Sequence, residues 1–105
     1  MSDREAEVMV QLARARAELA GTGEENVRSG GGRSPRRSDR FKAAKAAIHR
    51  AEQARNRLLV ELAGDAETVP IALAKRLGLT GREAAHIIDT ARTGSSRLRG
   101  HVLGG

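Results

Sequence analysis

Apolar residues recur at helical spacing in the first twenty residues of the chain. Asp3 is a candidate N-cap, and Gly21 follows the last apolar position. Residues 3–20 are therefore predicted to form a helix with one apolar stripe along its length. The stripe consists of Val8, Leu12, Ala15 and Leu19. A stripe this narrow does not hold an isolated helix together, so the helix must pack on another, in this chain or in a second copy.

The longest periodic pattern covers residues 39–63 and predicts a helix of about 37 Å at 1.5 Å per residue. Its apolar seam advances in heptad steps of three and four, interrupted by one arginine. The seam consists of Phe41, Ala44, Ile48, Ala51, Arg55, Leu58 and Leu62. Ser38 or Asp39 can cap the helix, Gly64 ends it, and Leu59 widens its apolar face near the C-terminus.

Two partners are possible for this seam. Helix 3–20 could fold back on it as an antiparallel hairpin, or the seams of two chains could pair. Large apolar residues are few among the 105, and a domain of this size buries only about 60–70% of its unfolded surface. The sequence therefore favours a homodimer.

Residues 70–93 predict two short helices around a tight turn. Pro70 suits the first position of a helix, and Gly78 suits the left-handed position after its last turn. Thr80 and Glu83 have the spacing of a capping box. The predicted inner faces contain Ile71, Leu73, Ala74 and Leu77, then Leu79 in the turn, then Ala84, Ile87, Ile88 and Ala91. Two helices joined by a short turn containing Gly form a helix-turn-helix unit.

This stretch resembles the helix-turn-helix DNA-binding domains of bacterial regulators, over about a fifth of the chain. The small residue expected inside the first helix is Ala74, the turn glycine is Gly78, and Leu77 and Leu79 flank it. Gly81 departs from the pattern, because a side chain often contacts a base there. The fold implied is all-α: an N-terminal helix and a long central coiled-coil-like helix, followed by a C-terminal helix-turn-helix.

The resemblance implies sequence-specific binding of double-stranded DNA in transcription regulation, with the helix after Gly78 in the major groove. Arg82 would read guanine or contact a phosphate. Thr80 would cap the helix and offer its backbone N–H to a phosphate. The expected DNA-binding residues are Lys75, Arg76, Thr80, Gly81, Arg82, Ala85, His86, Asp89, Arg92, Arg97 and Arg99.

Two stretches lack an apolar pattern. Residues 21–38 are rich in Gly, Ser and Arg and predict a flexible loop. Possible DNA contacts from this loop are Arg33, Arg36 and Arg37. Residues 34–37 resemble the Ser-Pro-basic-basic units of histone tails, although a linker that touches only phosphates, or nothing, is the alternative. Residues 94–105 predict a basic, frayed tail, whose apolar members could instead pack on the core. The chain thus divides into residues 1–20, 21–38, 39–64, 68–93 and 94–105.

Composition narrows the function. Nineteen Lys and Arg against thirteen Asp and Glu give a net charge of +6, which suits a phosphate-bearing partner, although a GC-rich genome also enriches Arg, Ala and Gly. The chain has no Cys, so it has no disulfide or thiolate site. It has no Trp or Tyr on which single-stranded bases could stack. The three His residues, at positions 49, 86 and 101, stand on different elements. We therefore expect no enzyme activity, no cofactor and no metal site.

No apolar run is long enough to span a bilayer, and residues 1–20 lack the apolar centre of a signal peptide. We expect a cytoplasmic protein at the nucleoid with no small-molecule effector, since no second domain could hold one. Two alternatives stay open. One is a nucleoid-associated, plasmid or phage architectural protein that binds DNA with low sequence specificity. The other is a coiled-coil interaction module whose helix-turn-helix is only a packing corner.

Overall fold

The computed structural model describes residues 3–23 and 38–104. In these two ranges the chain forms five α-helices and no strand, so the predicted all-α class is confirmed. The helices are α1 (Asp3–Gly21), α2 (Asp39–Ala63), α3 (Ile71–Arg76), α4 (Gly81–Thr93) and α5 (Ser96–Leu103). None of them carries an apolar stretch of the length that a bilayer crossing needs. Most of the predicted loop, with Arg33, Arg36 and Arg37, lies outside the described residues.

Helices α1 and α2 form an antiparallel hairpin within one chain. Arg4 pairs with Glu61 near one end, and at the other end Nε of Arg40 lies 2.8 Å from the carboxylate of Glu18. The buried residues of α1 include Leu12, Ala15 and Leu19. Of the two arrangements that the stripe allows, the one observed is therefore the hairpin in cis.

The buried face of α2 departs from the heptad seam near its C-terminus. Leu59 is completely buried, whereas Leu62, which the sequence assigns to the seam, is 42% exposed. At this end of α2 the buried residues Leu58, Leu59 and Ala63 pack with residues of α3 and α4. The direction from which these two helices cover α2 therefore decides which residues are buried there.

The main core lies where the C-terminal half of α2 meets α3 and α4. Its members are Leu58, Leu59, Ala63, Leu73, Ala74, Leu77, Leu79, Ala84, Ile87 and Ile88. Ile71, which the sequence assigns to the inner face of α3, is 68% exposed. At 100° per residue it lies about 110° around the helix from the middle of the face formed by Leu73, Ala74 and Leu77.

Residues 96–103 form helix α5, although the sequence predicts a frayed tail there. Ser95 caps the helix, because its hydroxyl accepts a hydrogen bond from the N–H of Leu98 at 3.2 Å. Val102 and Leu103 pack against the main core. The alternative that the apolar residues of this segment pack on the core is thus the one observed for these two, while Leu98 is 55% exposed.

Side chains of α2 complete the C-terminus of α5. A helix end leaves its last carbonyls without partners in the helix, and three of these carbonyls accept hydrogen bonds from α2. The pairs are Gln53 with His101, Asn56 with Val102, and Arg57 with Leu103. These three pairs, here called the α5 latch, hold α5 against the middle of the long helix.

Candidate nucleic-acid interface

The turn between α3 and α4 is a Schellman motif. Gly78 has φ of +71°, and its N–H donates to the carbonyl of Lys75 at 3.0 Å. The N–H of Leu79 donates to the carbonyl of Ala74 at 2.9 Å. These are the two bonds of the motif, and they fix the direction in which the chain leaves α3.

A capping box then starts α4. The hydroxyl of Thr80 accepts from the N–H of Glu83 at 3.1 Å, and the N–H of Thr80 donates to the Glu83 carboxylate at 3.0 Å. This backbone N–H, with a smaller contribution from the Thr80 side chain, lowers the pKa of Glu83 from its ordinary value. The N–H of Thr80, for which the sequence predicts a phosphate contact, donates to Glu83 in this structure. The N–H groups of Gly81 and Arg82 come before the first intrahelical bond, from Ala84 to Thr80, so they point out of the helix end.

One side of α4 is exposed along its length. The exposed positions are Gly81, Arg82, Glu83, Ala85, His86, Asp89, Arg92 and Thr93. The opposite side, with Ala84, Ile87 and Ile88, is buried in the main core. All the α4 residues predicted to bind DNA thus lie on the solvent side of the helix.

This exposed side carries charges of both signs. Gly81, Ala85 and Asp89 border a shallow cavity of about 230 Å³, whose lining also includes Glu67. Arg82 and His86 stand one turn apart on the same side, and Asp89 follows Arg82 by two turns on nearly the same stripe. An anionic ligand is attracted by Arg82 and repelled by the carboxylates of Glu67 and Asp89.

Arg76 makes an intramolecular ion pair, although the sequence predicts a phosphate contact. Its Nε lies 3.3 Å from the carboxylate of Glu5, whose side chain is 6% exposed. A buried carboxylate needs a paired cation, so Arg76 neutralises Glu5 and ties α1 to α3. Sequence analysis missed Glu5, although it continues the α1 stripe three residues before Val8.

Arg92 also has an intramolecular role. Its guanidinium donates to the carbonyls of Gly64 and Ala66, at 3.0 and 2.8 Å. Gly64 is the C-cap of α2, so Arg92 places a positive charge at the negative end of that helix. Arg76 and Arg92, both predicted to contact DNA, are therefore engaged within the fold.

Four predicted cations keep their charged groups available. Lys75, Arg82, Arg97 and Arg99 are exposed and make no ion pair or side-chain hydrogen bond within the described ranges. Lys75 lies on α3, Arg82 on the first turn of α4, and Arg97 and Arg99 on α5. They come from the three helices that follow α2.

Helix α1 supports the turn from behind. A Cβ built on Gly78 would lie 3.4 Å from the terminal methyl carbon of Met9, so the two residues are neighbours. One helical turn before Met9, Glu5 pairs with Arg76. The contacts of α1 with both α3 and the turn hold the turn at a fixed position on the hairpin.

Arg55, which interrupts the seam of α2, is buried. Its guanidinium donates to Oδ1 of Asn56 at 3.1 and 3.3 Å, and it lies 3.9 Å from the Glu52 carboxylate. Burial lowers the pKa of Arg55 from its ordinary value, and Glu52 opposes that shift. Asn56 also donates to Val102, so one amide connects the buried arginine to the α5 latch.

Comparison with known proteins assigns no function to this site. No family model, curated protein or solved structure matches the chain. Among the described residues, no group of three or more His, Cys, Asp or Glu side chains is arranged to hold a metal ion. The case for a function therefore depends on the turn, the exposed side of α4 and the four available cations.

Proposed function

We propose that this protein binds double-stranded DNA through its helix-turn-helix unit, with α4 in the major groove. The observation that carries the proposal is the exposed side of α4, presented by a Schellman turn and a capping box on a three-helix core. A recognition helix needs this combination, because its polar side must face the bases while its apolar side stays in the core. The net charge of +6 favours association with a polyanion.

Arg82 is the central residue of the proposed interface. It stands in the first turn of α4, and the N-terminal residues of a recognition helix are those that contact base edges. Its planar fork can bind both major-groove acceptors of guanine. The N–H groups of Gly81 and Arg82 supply a phosphate site at the helix start, so Gly81 would contribute its backbone.

The other contacts follow from which cations are available. His86, one turn after Arg82, would contact a base or a phosphate. Lys75, Arg97 and Arg99 would contact phosphates on either side of α4. Arg76 and Arg92 are left out of this set because Glu5 and the end of α2 engage them.

A second form of the proposal is DNA binding with low sequence specificity. Gly81 and Ala85 offer no polar side chain to base edges, and Asp89 is acidic beside the phosphates. Arg82 and His86 are then the long polar groups on the reading side of α4. This observation favours an architectural or nucleoid-associated role over a regulator of single operators.

The proposed binding unit is a homodimer. One α4 with two long polar side chains would read only a few base pairs. A two-fold assembly doubles that number and reads half-sites about one helical turn of DNA apart. Analytical ultracentrifugation of the protein alone tests this assembly: a sedimenting mass of two chains supports it, and a single-chain mass at working concentration contradicts it.

DNA binding is tested by selecting bound duplexes from a random pool and measuring affinity against salt concentration. We expect Arg82→Ala to weaken binding by about 1–3 kcal/mol where it reads a base, or to lower the salt slope by about one where it contacts a phosphate. The matched control is Arg40→Ala, which removes an exposed arginine at the opposite end of α2. We expect Arg40→Ala to leave affinity unchanged.

The outcomes separate the candidate functions. A palindrome recovered by selection, with a wide gap to random duplexes, supports a regulator. Retention of all duplexes with similar affinity supports the architectural form. Failure to bind any duplex at physiological salt, with Arg82→Ala indistinguishable from the parent, contradicts DNA binding and favours the interaction module.

A further inference from the structure

Helix α1 has a second apolar face besides its buried stripe. Its members, here called the outer face of α1, are Ala6, Val10, Ala13, Ala17 and Ala20, which follow one another at steps of four and three residues. At 100° per residue their directions fall within about 80°, and the middle of this face lies about 140° around the helix from the middle of the buried stripe. All five residues are exposed, and Val10 is 49% exposed.

Packing within one chain does not account for the outer face. The solvent side of a helix in a globular protein is ordinarily polar, and 30% of this chain is charged, yet none of the five positions has a polar side chain. The buried residues Leu12, Ala15 and Leu19 are already used in the hairpin in cis, so a homodimer needs another surface. Apolar residues at steps of three and four are the pattern through which two helices pack along their length.

Two opposite charges border the outer face. With Val10 at heptad position a and Ala13 at position d, Glu7 and Arg14 both occupy position e, beside the contact that such a helix makes. Both side chains are exposed, and in the described part of the chain neither forms an ion pair. The Glu7 carboxylate accepts a hydrogen bond of 3.4 Å from Gln11. Glu7 and Arg14 are therefore accessible to charges on a second molecule.

These charges select one arrangement of two α1 helices. When the helices are antiparallel and Val10 of each lies opposite Ala13 of the other, Glu7 of each lies beside Arg14 of the other, which gives two symmetric ion pairs. A shift of one heptad in either direction would oppose Arg14 to Arg14 or Glu7 to Glu7. In a parallel pair Arg14 would instead face Met9. The outer face with its two charges is thus complementary to itself, as a two-fold contact requires.

We propose that the outer face of α1 binds the same face of a second copy of this chain, in the antiparallel register that pairs Glu7 with Arg14. The alanines allow the two helix backbones to approach closely, and Val10 of each chain packs between alanines of the other. This inference rests on the homodimer of the proposed function and names the surface that forms it. No residue of α4 takes part in the contact.

Sedimentation of the full chain without DNA, over a range of protein concentrations, tests the surface. Ala13→Glu places two like charges at the centre of the contact, so we expect it to weaken dimerisation at least about tenfold. Ala46→Glu is the matched control, because Ala46 is an exposed alanine within α2 and lies outside the outer face. We expect Ala46→Glu to dimerise like the parent, and circular dichroism checks that both variants keep their helical content.

A charge exchange tests the register. Glu7→Arg and Arg14→Glu should each weaken dimerisation at least about tenfold, whereas the double variant should recover most of the parent affinity. Within one helix these two residues lie about 10.5 Å apart at 1.5 Å per residue. Recovery in the double variant therefore reports a contact between chains.

Three results would overturn the proposal. They are a single-chain mass for the parent at every concentration, dimerisation of Ala13→Glu equal to that of the parent, and a double variant that dimerises no better than the single ones. A dimer that withstands Ala13→Glu leaves the homodimer in place and refutes this surface. Because the measurement contains no DNA, its failure is distinguishable from failure of DNA binding.

Discussion

Replacing Gly78 with alanine tests whether the left-handed turn fixes the position of α4. Gly78 has φ of +71°, and an added Cβ would meet Met9 at 3.4 Å, which is an ordinary contact. Space is therefore sufficient, and the expected cost comes from the backbone. A left-handed conformation costs an L-residue about 1–2 kcal/mol, and the lower entropy of alanine in the unfolded chain offsets about 0.4–1 kcal/mol of that.

We expect Gly78→Ala to lower the free energy of unfolding by about 1 kcal/mol, and the thermal midpoint by about 4–8 °C for a domain near this size. Gly81→Ala is the matched control. Gly81 starts α4 without a positive φ, and a Cβ there meets no atom within 4 Å. Alanine also suits a helix better than glycine, so we expect no loss of stability at this position.

Urea unfolding followed by far-ultraviolet circular dichroism measures both variants, because the chain has no Trp or Tyr for fluorescence. Gly78→Asn should lose less than Gly78→Ala, since asparagine tolerates the left-handed region. Equal midpoints for Gly78→Ala and Gly81→Ala would refute the assignment of backbone strain to the turn.

Three further predictions concern packing, capping and the latch. Leu59→Ala should lower the free energy of urea unfolding by about 2–5 kcal/mol, because Leu59 is completely buried, whereas the exposed Leu62→Ala should stay within about 0.5 kcal/mol. Glu83→Gln should lower the thermal midpoint at neutral pH. Because the fold lowers the pKa of Glu83, the ionised carboxylate stabilises the fold at pH values above its unfolded pKa of about 4.3. This stabilisation is lost as the pH falls through the pKa of the folded state, so the thermal midpoints of parent and variant should converge in acid. Asn56→Ala removes the bond to Val102 and an acceptor of the buried Arg55 guanidinium, so it should speed amide hydrogen exchange in α5 by a larger factor than in α4.

Local signals in the sequence account for the features of the turn. Gly78, Thr80 and Glu83 determine the Schellman motif and the capping box through groups no more than five residues apart. The helix ends that they mark depend on backbone hydrogen bonds, which sequence spacing specifies directly. For this reason the bounds of α3 and α4 lie close to those expected from residues 70–93.

Features that depend on tertiary contacts could not be predicted in the same way. Arg76 and Arg92 look like free cations until α1 and the end of α2 are placed beside them. Val102 and Leu103 allowed packing on the core but did not require it, and the other partners of α5 are polar groups on α2, such as Asn56. The sequence pattern therefore does not predict which side chains contact each other in the tertiary structure.

The pair formed by Glu5 and Arg76 has a consequence for synthesis on the ribosome. The two residues are 71 positions apart, so at about 5–20 residues per second, roughly 4–14 seconds of translation separate them. During that interval α1 of the nascent chain can pack on α2. The Glu5 carboxylate stays hydrated, because Arg76 has not yet been synthesised. The contact of α1 with α3 therefore forms late in synthesis. A ribosome that stalls before Arg76 would leave α1 without this contact.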